Sequence, residues 1–253
     1  MKDTIWDVLG VARLLDHAVL HPTSGERETV AGCEMGRENG VAAVCIKPCF
    51  TSAASKVLAG SPTKVCAVTA FPHGNSKRSV KVAEICAALD DGALEIDAVI
   101  NNGLVCDGDW LRVAEEVRDL QRACARGGAL LKVIFETDFL NLEQIRRLAE
   151  ICREEGVGYV KTSTGFGYVR RSDGVFHTRG ATEEAVREMV RICLPQTQVK
   201  ASGGIRTLDD VLRFHALGCS RIGVSATEAI LAEASARVGG GTGPIFLVKS
   251  EDY

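Results

Sequence analysis

The chain has 253 residues, 46% of them hydrophobic, and its 33 acidic and 30 basic side chains give a net charge of -3 and an isoelectric point near 6.0. That is enough apolar content for one large domain with a substantial core, and the basic residues are scattered among acids, which argues against a nucleic-acid or anionic-membrane partner. The start MKDTIWDVLG lacks the basic end and apolar centre of a secretory signal, and no run is long enough to cross a bilayer, so a cytoplasmic protein is expected.

In chain order, a short helix is expected around residues 5–9. Eight apolar runs then read as strands, over residues 14–20, 41–46, 65–71, 93–100, 129–135, 157–162, 198–201 and 220–225. Between them, residues 79–90, 109–126, 141–155, 182–193 and 208–217 carry apolar side chains three and four apart, as in a helix packed on one face. Asn141 ahead of Glu143 and Gln144, and Thr182 ahead of Glu183 and Glu184, supply helix caps. Gly40, Gly92, Gly127, Gly128, Gly156 and Gly218 stand just past helix ends, where a left-handed residue is wanted.

This repetition implies a parallel sheet with right-handed crossovers. Eight strand-helix units after an extra N-terminal helix fit an α/β fold, a closed (β/α)8 TIM barrel forming a single domain over residues 1–253. An open doubly wound sheet is the alternative, weakened by the lack of G-x-G-x-x-G after the first strand. The glycine-rich run at 239–243 reads as a flexible connection to a C-terminal tail over 239–253. Most of the ten cysteines are expected to be reduced thiols, and Cys66, Cys86, Cys152 and Cys193 to act as small hydrophobes. Cys45-Ile-Lys-Pro-Cys49 has a ligand-like spacing, but no second Cys or His pair completes it, so no metal is expected.

Barrel active sites lie at the C-terminal ends of the strands. The polar residues read off there are Asp16, Lys47, His73, Asp97, Lys132, Lys161, Lys200 and Ser225. Lys132, Lys161 and Lys200 stand among apolar neighbours in LLKVIF, GYVKTS and QVKASG, a setting that seldom tolerates lysine. Singly, each is readable as an edge or snorkelling lysine; with Asp16 and Asp97 they read as a charged site in the barrel mouth.

Lys161 ends a β-branched and aromatic run in VGYVKTSTGFG (residues 157–167), as if a strand delivered an amine to an open rim. An amine is a nucleophile only when neutral, and an unperturbed lysine is almost wholly protonated near neutral pH. A protonated Lys200 close by, in dry surroundings, favours the neutral form of Lys161. The free amine attacks an aldehyde, and the resulting imine acidifies the neighbouring carbon. Asp97, ending ALEID, is the candidate general acid/base, with a plain ion pair to Lys132 as its alternative role. ASGG (201–204) and GVS (223–225) follow strands seven and eight and lead into helices; either alone is an ordinary turn, but as a pair there they suit a phosphate.

These residues carry a resemblance. LDHAVLHP (15–22), CIKP, FPHG (71–74), ALEIDAVIN (93–101), LLKVIFET (130–137), VKTSTGFG, VKASGGIRT (199–207) and RIGVS (221–225) resemble, in order and over nearly the whole chain, the deoxyribose-phosphate aldolases. Those are class I aldolases on a TIM barrel that reversibly cleave 2-deoxy-D-ribose 5-phosphate to acetaldehyde and D-glyceraldehyde 3-phosphate. The resemblance implies that Lys161 forms the Schiff base, Lys200 lowers its pKa and Asp97 transfers protons. It implies that Asp16 and Lys132 complete the charged network, that the loop from Thr162 to Gly165 lies beside the substrate, and that Gly203, Gly204, Gly223 and Ser225 bind phosphate. It implies no cofactor.

The chain departs from the family pattern at Ala18, usually threonine, at His21, often lysine, and at Lys47, where asparagine or tyrosine is typical. Ala226 replaces a common second serine and removes one hydroxyl expected near the phosphate. The loop over 166–179 is longer and more basic than the family's; Arg170, Arg171, His177 and Arg179 read as extra anion contacts or a lid, or as a solvated surface. The terminal Tyr253 reads as a phenol able to reach the rim or as part of a free tail. Other readings are a lysine aldolase for an unphosphorylated aldehyde and a phosphosugar-binding barrel without catalysis. Oligomeric state leaves no distinctive mark, and a homodimer or larger homo-oligomer is compatible.

Overall fold

The computed structural model describes residues 7–170 and 172–238. The tail over 239–253 with Tyr253, Arg171, and the start of the expected first helix lie outside the described residues. Helix α1 (Val8–Ala12) is capped by Asp7, whose carboxylate accepts from the Gly10 N–H at 2.6 Å. Strands and helices then alternate: β1 (Leu15–Val19), α2 (Glu26–Asn39), β2 (Ala43–Ile46), α3 (Thr51–Leu58), β3 (Lys64–Thr69), α4 (Arg78–Asp90), β4 (Glu95–Val99), α5 (Asn102–Cys106), α6 (Trp110–Arg126), β5 (Leu130–Ile134), α7 (Leu142–Glu154) and β6 (Tyr159–Lys161). A small hairpin, β7 (Val169–Arg170) and β8 (Phe176–His177), comes before α8 (Glu183–Cys193), β9 (Gln198–Ser202), α9 (Leu208–Ala216), β10 (Arg221–Val224) and α10 (Thr227–Arg237). The eight longer-paired strands close in the order β1-β10-β9-β6-β5-β4-β3-β2, all parallel, so the chain forms the expected (β/α)8 barrel rather than an open sheet. Among the described residues no helix is long and apolar enough to cross a membrane.

Local chemistry agrees with this architecture. Asn141 Oδ1 accepts from the Gln144 N–H while Gln144 Oε1 accepts from the Asn141 N–H, and Thr182 caps α8 through the Ala185 N–H. Gly40 closes α2 at φ +67°, a conformation that costs other residues a clash with their own Cβ. On α6, Val113, Val117, Leu120 and Cys124 recur at helical spacing and pack against the outside of the barrel.

Two-residue alternation along each strand divides the side chains between two environments. Leu15, Val44, Ile96, Leu131, Val160, Val199 and Ile222 join the apolar layer between strands and helices. Inside the barrel, β1 to β3 contribute small groups, with Ala43, Cys45 and Cys66 packed beside Ala18 and Leu20. That leaves room for long basic side chains reaching in from the opposite strands. Cys66, Cys152 and Cys193 are buried as expected, but Cys86 is exposed on α4.

The basic loop over 166–179, expected as anion contacts, a lid or a solvated surface, contains the hairpin. Its turn has Gly174 at φ +83° and Asp173 Oδ1 accepting from the Val175 N–H at 2.9 Å, an Asp-Gly turn between two short β-forming pairs. His177 Nδ1 donates to the Val169 carbonyl within the hairpin, and Arg170 is exposed.

Candidate active site

Register determines which charges meet. Asp97 stands beside Lys132 across β4–β5, Lys161 beside Lys200 across β6–β9, and Lys200 beside Arg221 across β9–β10. Asp97 is the hub. Its Oδ2 accepts from Lys161 Nζ at 2.7 Å and from Lys200 Nζ at 2.8 Å, and its Oδ1 accepts from Lys132 Nζ at 2.8 Å. Lys200 also donates to Asp16 Oδ2 at 2.5 Å, and Asp16 Oδ1 accepts from Arg221 Nε at 2.6 Å. Arg221 forks onto Glu95 through Nη1 at 3.1 Å and Nη2 at 2.8 Å, and Glu95 Oε2 lies 2.6 Å from Lys132 Nζ. Lys161, Lys200, Asp97, Asp16 and Lys132 therefore come together as one buried network.

Its depth corrects the expected rim. Asp16, Asp97, Lys132 and Lys200 stand in mid-strand with no solvent exposure, while Lys161 closes β6 at its C-terminal end with 3%. Lys132, expected on the substrate side, does not line the cavity and meets Asp16, Glu95 and Asp97. Thr162, expected beside the substrate, is also fully buried. Its hydroxyl donates to the Ser202 carbonyl and accepts from the Ser202 N–H, both at 2.9 Å, and so braces β6 against β9. His73 is exposed and borders a separate hollow with Phe71 and Glu84. Lys47 spends its ammonium on the carbonyls of His21, Pro22 and Ser24, holding the loop after β1. The sequence reading missed Arg221 and Glu95, although RIGVS and ALEID contain them.

The charges fix protonation states. Burial alone would raise the Asp16 carboxyl, but Lys200, Arg221 and Lys132 outweigh it and bring it from 3.8 to about 2. Burial pushes Asp97 the same way, and Lys132, Lys161 and Lys200 again prevail, holding it well below the usual carboxylate range. Burial would lower Lys200, yet Asp16 and Asp97 hold it above an ordinary lysine, and Asp97 chiefly does the same for Lys132. Both are ammonium ions at neutral pH. Because the folded chain binds the Asp16 proton more weakly than the unfolded chain, this stabilisation is full above 3.8 and is lost as pH falls toward about 2. It amounts to about 2 kcal/mol. Chemical denaturation between about pH 5 and about pH 2 should show stability falling with acidification, and Asp16→Asn should flatten part of that slope; a flat wild-type profile would contradict the assignment.

Above the network opens a cavity of about 810 Å³. Lys161, Lys200 and Asp16 are at its base, Thr164, Gly165 and Phe166 form one wall, and Gly203, Gly204, Arg206, Gly223 and Ser225 form another. The expected phosphate residues thus share a surface facing Lys161, joined by Arg206, whose cation the sequence reading did not single out. Gly203 and Gly204 have φ +94° and +80°, and a Cβ on Gly203 would lie 2.8 Å from Gly180 Cα. A Cβ on Gly223 would come 2.8 Å from Ser202 Cβ and 3.2 Å from Lys200 Cε. Of the hairpin segment, Thr178 reaches the cavity; Arg170, His177 and Arg179 do not line it.

Two buried acids hold the loops. Glu136, at φ +52°, accepts from the Ser163 hydroxyl at 2.6 Å and the Thr164 N–H at 3.2 Å, and also from the Thr164 hydroxyl. Asp138 Oδ2 accepts from the Thr178 hydroxyl and the Arg179 and Gly180 N–H groups at 2.9, 2.8 and 3.2 Å. Gly180 abuts Gly203, so this anchor extends to the loop of Gly203 and Gly204.

As for metals, Cys45 and Cys49 point to different places, one inside the barrel and one exposed. Donor atoms of Cys45, Cys66 and Asp97 do lie within 4.8 Å of one another. The same atoms already meet Lys132 Nζ, 3.3 Å from Cys66 Sγ, and Lys200 Nζ, 3.5 Å from Cys45 Sγ. A divalent cation would be placed against ammonium groups, so this donor set is a poor fit for one.

A parallel barrel with a buried lysine-carboxylate network below an open cavity defines a lysine-aldolase type of site. The chain belongs to the DeoC/LacD aldolase family, whose model matches residues 11–232. It is 39% identical over 219 residues to the deoxyribose-phosphate aldolase of Treponema denticola, covering 87% of this chain and 97% of that one. Among solved structures it is similar to QR15, an aldolase, at 37% identity and a TM-score of 0.81, covering 90% and 96% of the two chains. It is also similar to the tetrameric deoxyribose phosphate aldolase of Aeropyrum pernix, at 27% identity and a TM-score of 0.80, covering 91% and 92%.

Proposed function

We propose that this chain reversibly cleaves 2-deoxy-D-ribose 5-phosphate to acetaldehyde and D-glyceraldehyde 3-phosphate through an imine on Lys161. The observation that carries the reading is Lys161 Nζ at the cavity base, sharing one oxygen of Asp97 with a Lys200 held as an ammonium ion. The free amine of Lys161 adds to C1 of the open-chain sugar, and loss of water gives the iminium. The C2–C3 bond then breaks, its electron pair moves into the iminium to give the enamine, and C3 becomes the aldehyde of glyceraldehyde 3-phosphate as its hydroxyl loses a proton. Protonation of the enamine and hydrolysis release acetaldehyde and the amine.

Asp97, fixed as a carboxylate, stabilises each cationic state at Lys161 and takes protons by way of its bonded ammonium groups or a water. Gly203, Gly204, Ser225 and Arg206 hold the phosphate, with Gly165 shaping the wall beside the reacting carbons. No cofactor takes part in this scheme. We further propose one catalytic domain acting in the cytoplasm as a homodimer or larger homo-oligomer. The ten unpaired cysteines and the tetrameric relative support those readings.

The test is incubation with 2-deoxyribose 5-phosphate and assay of both aldehydes. Release of neither product from a folded chain would refute the activity. A second reading, an unphosphorylated substrate, is favoured by Ala226 in place of a hydroxyl. Gly203→Ala separates the two, because it strains the phosphate loop. Losing one charge-assisted hydrogen bond costs about 1.5–3 kcal/mol, so KM for the phosphorylated sugar should rise roughly ten- to a hundredfold while turnover of 2-deoxyribose changes little. Equal effects on both sugars would favour the second reading.

A further inference from the structure

Counting charge inside the barrel gives an imbalance. Three carboxylates, Asp16 on β1 and Glu95 and Asp97 on β4, face four cations: Lys132 on β5, Lys161 on β6, Lys200 on β9 and Arg221 on β10. The other polar groups facing the cluster are two thiols and a phenol; burial raises the Cys66 thiol, while the hydrogen bond with Cys66 and the Lys200 ammonium lower the Cys45 thiol. Cys66 on β3 and Cys45 on β2 donate to Asp97 at 3.1 and 3.8 Å, and the Tyr159 ring lies 5.9 Å from the Arg221 guanidinium carbon. With both thiols as neutral donors to Asp97 and the carboxylates and basic groups ionised, the cluster carries one positive charge in excess, in surroundings where an uncompensated charge is costly.

The members differ in how many counter-ions they face. Lys132 faces three carboxylates, at 2.6, 2.8 and 3.7 Å, and Lys200 faces two. Among the described residues Lys161 pairs with Asp97 alone, and it stands at the mouth. Arg221 begins β10 at the floor, locked by Asp16 and Glu95, and a guanidinium does not lose its proton in proteins.

We propose that Arg221 is a positioning residue whose permanent charge, pinned at the barrel floor by Glu95 and Asp16, supplies the excess that one lysine must relieve, so that the proton leaves Lys161. This rests on Lys161 being the imine-forming residue. Arg221 touches no substrate and acts through Asp16, Glu95 and the lysines between. Neutralising Arg221 leaves three carboxylates against three lysines, and all three lysines then keep their protons. Neutralising Glu95 leaves two carboxylates against four cations and makes a lysine proton easier to lose.

The two ends of one ion pair therefore have opposite expected effects, which a purely structural role would not produce. The experiment measures borohydride trapping of the acetaldehyde imine on Lys161 against pH. Arg221→Met should move the rising limb of that profile to higher pH by about one unit or more, and Glu95→Gln should move it to lower pH by about as much. Arg221→Lys should keep the wild-type limb, and the double variant Arg221→Met with Glu95→Gln should return close to it. Limbs that do not move, or that move together in both single variants, overturn the proposal while leaving the imine intact. Should Arg221→Met not fold, Glu95→Gln decides alone: a shift to lower pH supports the proposal and any other result overturns it. Absence of a Lys161 adduct in the wild-type chain overturns the functional reading and this inference with it.

Discussion

Lys161→Ala should abolish both cleavage of 2-deoxyribose 5-phosphate and borohydride trapping of acetaldehyde. Lys161 alone among the network lysines ends its strand at the cavity base; Lys200 also lines that base but from mid-strand and with no solvent exposure, and Lys132 does not line it. Removing a covalent nucleophile removes the stepwise route and not merely one interaction, and the loss is on the order of a million-fold in kcat. Truncation at the mouth costs little stability, since the side chain gives up one ion pair and leaves Asp97 still bonded to Lys132 and Lys200. The checks are steady-state cleavage and mass spectrometry of the trapped peptide. A variant that keeps an adduct, or more than a small fraction of turnover, would place the nucleophile elsewhere.

Asp97→Asn should damage catalysis and folding together. The carboxylate is the common counter-ion of three ammonium groups, and the amide replaces it with similar shape and no charge. Lys132, Lys200 and Arg221 then share only Asp16 and Glu95, and Lys161 keeps no carboxylate partner among the described residues. Breaking a buried pair by removing one partner costs about 3–5 kcal/mol, which for a chain of this size lowers Tm by about 10 °C. Activity should fall a further 10²- to 10⁴-fold, roughly the range for losing a proton-transfer group. Differential scanning calorimetry alongside turnover checks both. Wild-type stability in Asp97→Asn would show that the lysines do not depend on this carboxylate.

The sequence made much of this legible for physical reasons that can be named. Strands of a parallel barrel are apolar on the helix-facing side, so a lysine or aspartate within LLKVIF, QVKASG or ALEID has to point inward, and inward positions in one barrel share a small volume. That is why Asp97, Lys132, Lys161 and Lys200 emerge from pattern alone. Glycines before helices likewise mark a wall where backbone amides face an anion, and Gly203, Gly204, Gly223 and Ser225 do line the cavity.

Other features were less legible. Arg221 and Glu95 open their strands, where a charged residue ordinarily marks a solvated strand end, and nothing local distinguishes a buried fork from that. Thr162 beside Lys161 looked available to substrate, but alternation turns it away from the cavity and onto the Ser202 main chain. Glu136 and Asp138 stand in a turn after β5, and their hydrogen bonds reach residues 25 or more positions away.

By itself the sequence determined the eight barrel strands and five of the helices between them, the capped helix ends, the inward lysines and aspartates, and the lysine that ends its strand before a glycine-rich loop. These depend on spacing within ten or twenty residues, where periodicity and propensity act. Only the tertiary structure decided how deep each charge sits, which carboxylate serves which ammonium ion, and that Arg221 on β10 and Glu95 on β4 meet inside the barrel. Closure and register bring those partners together across gaps of more than a hundred residues, and the resulting balance of charge is a property of the enclosed volume that no single strand encodes.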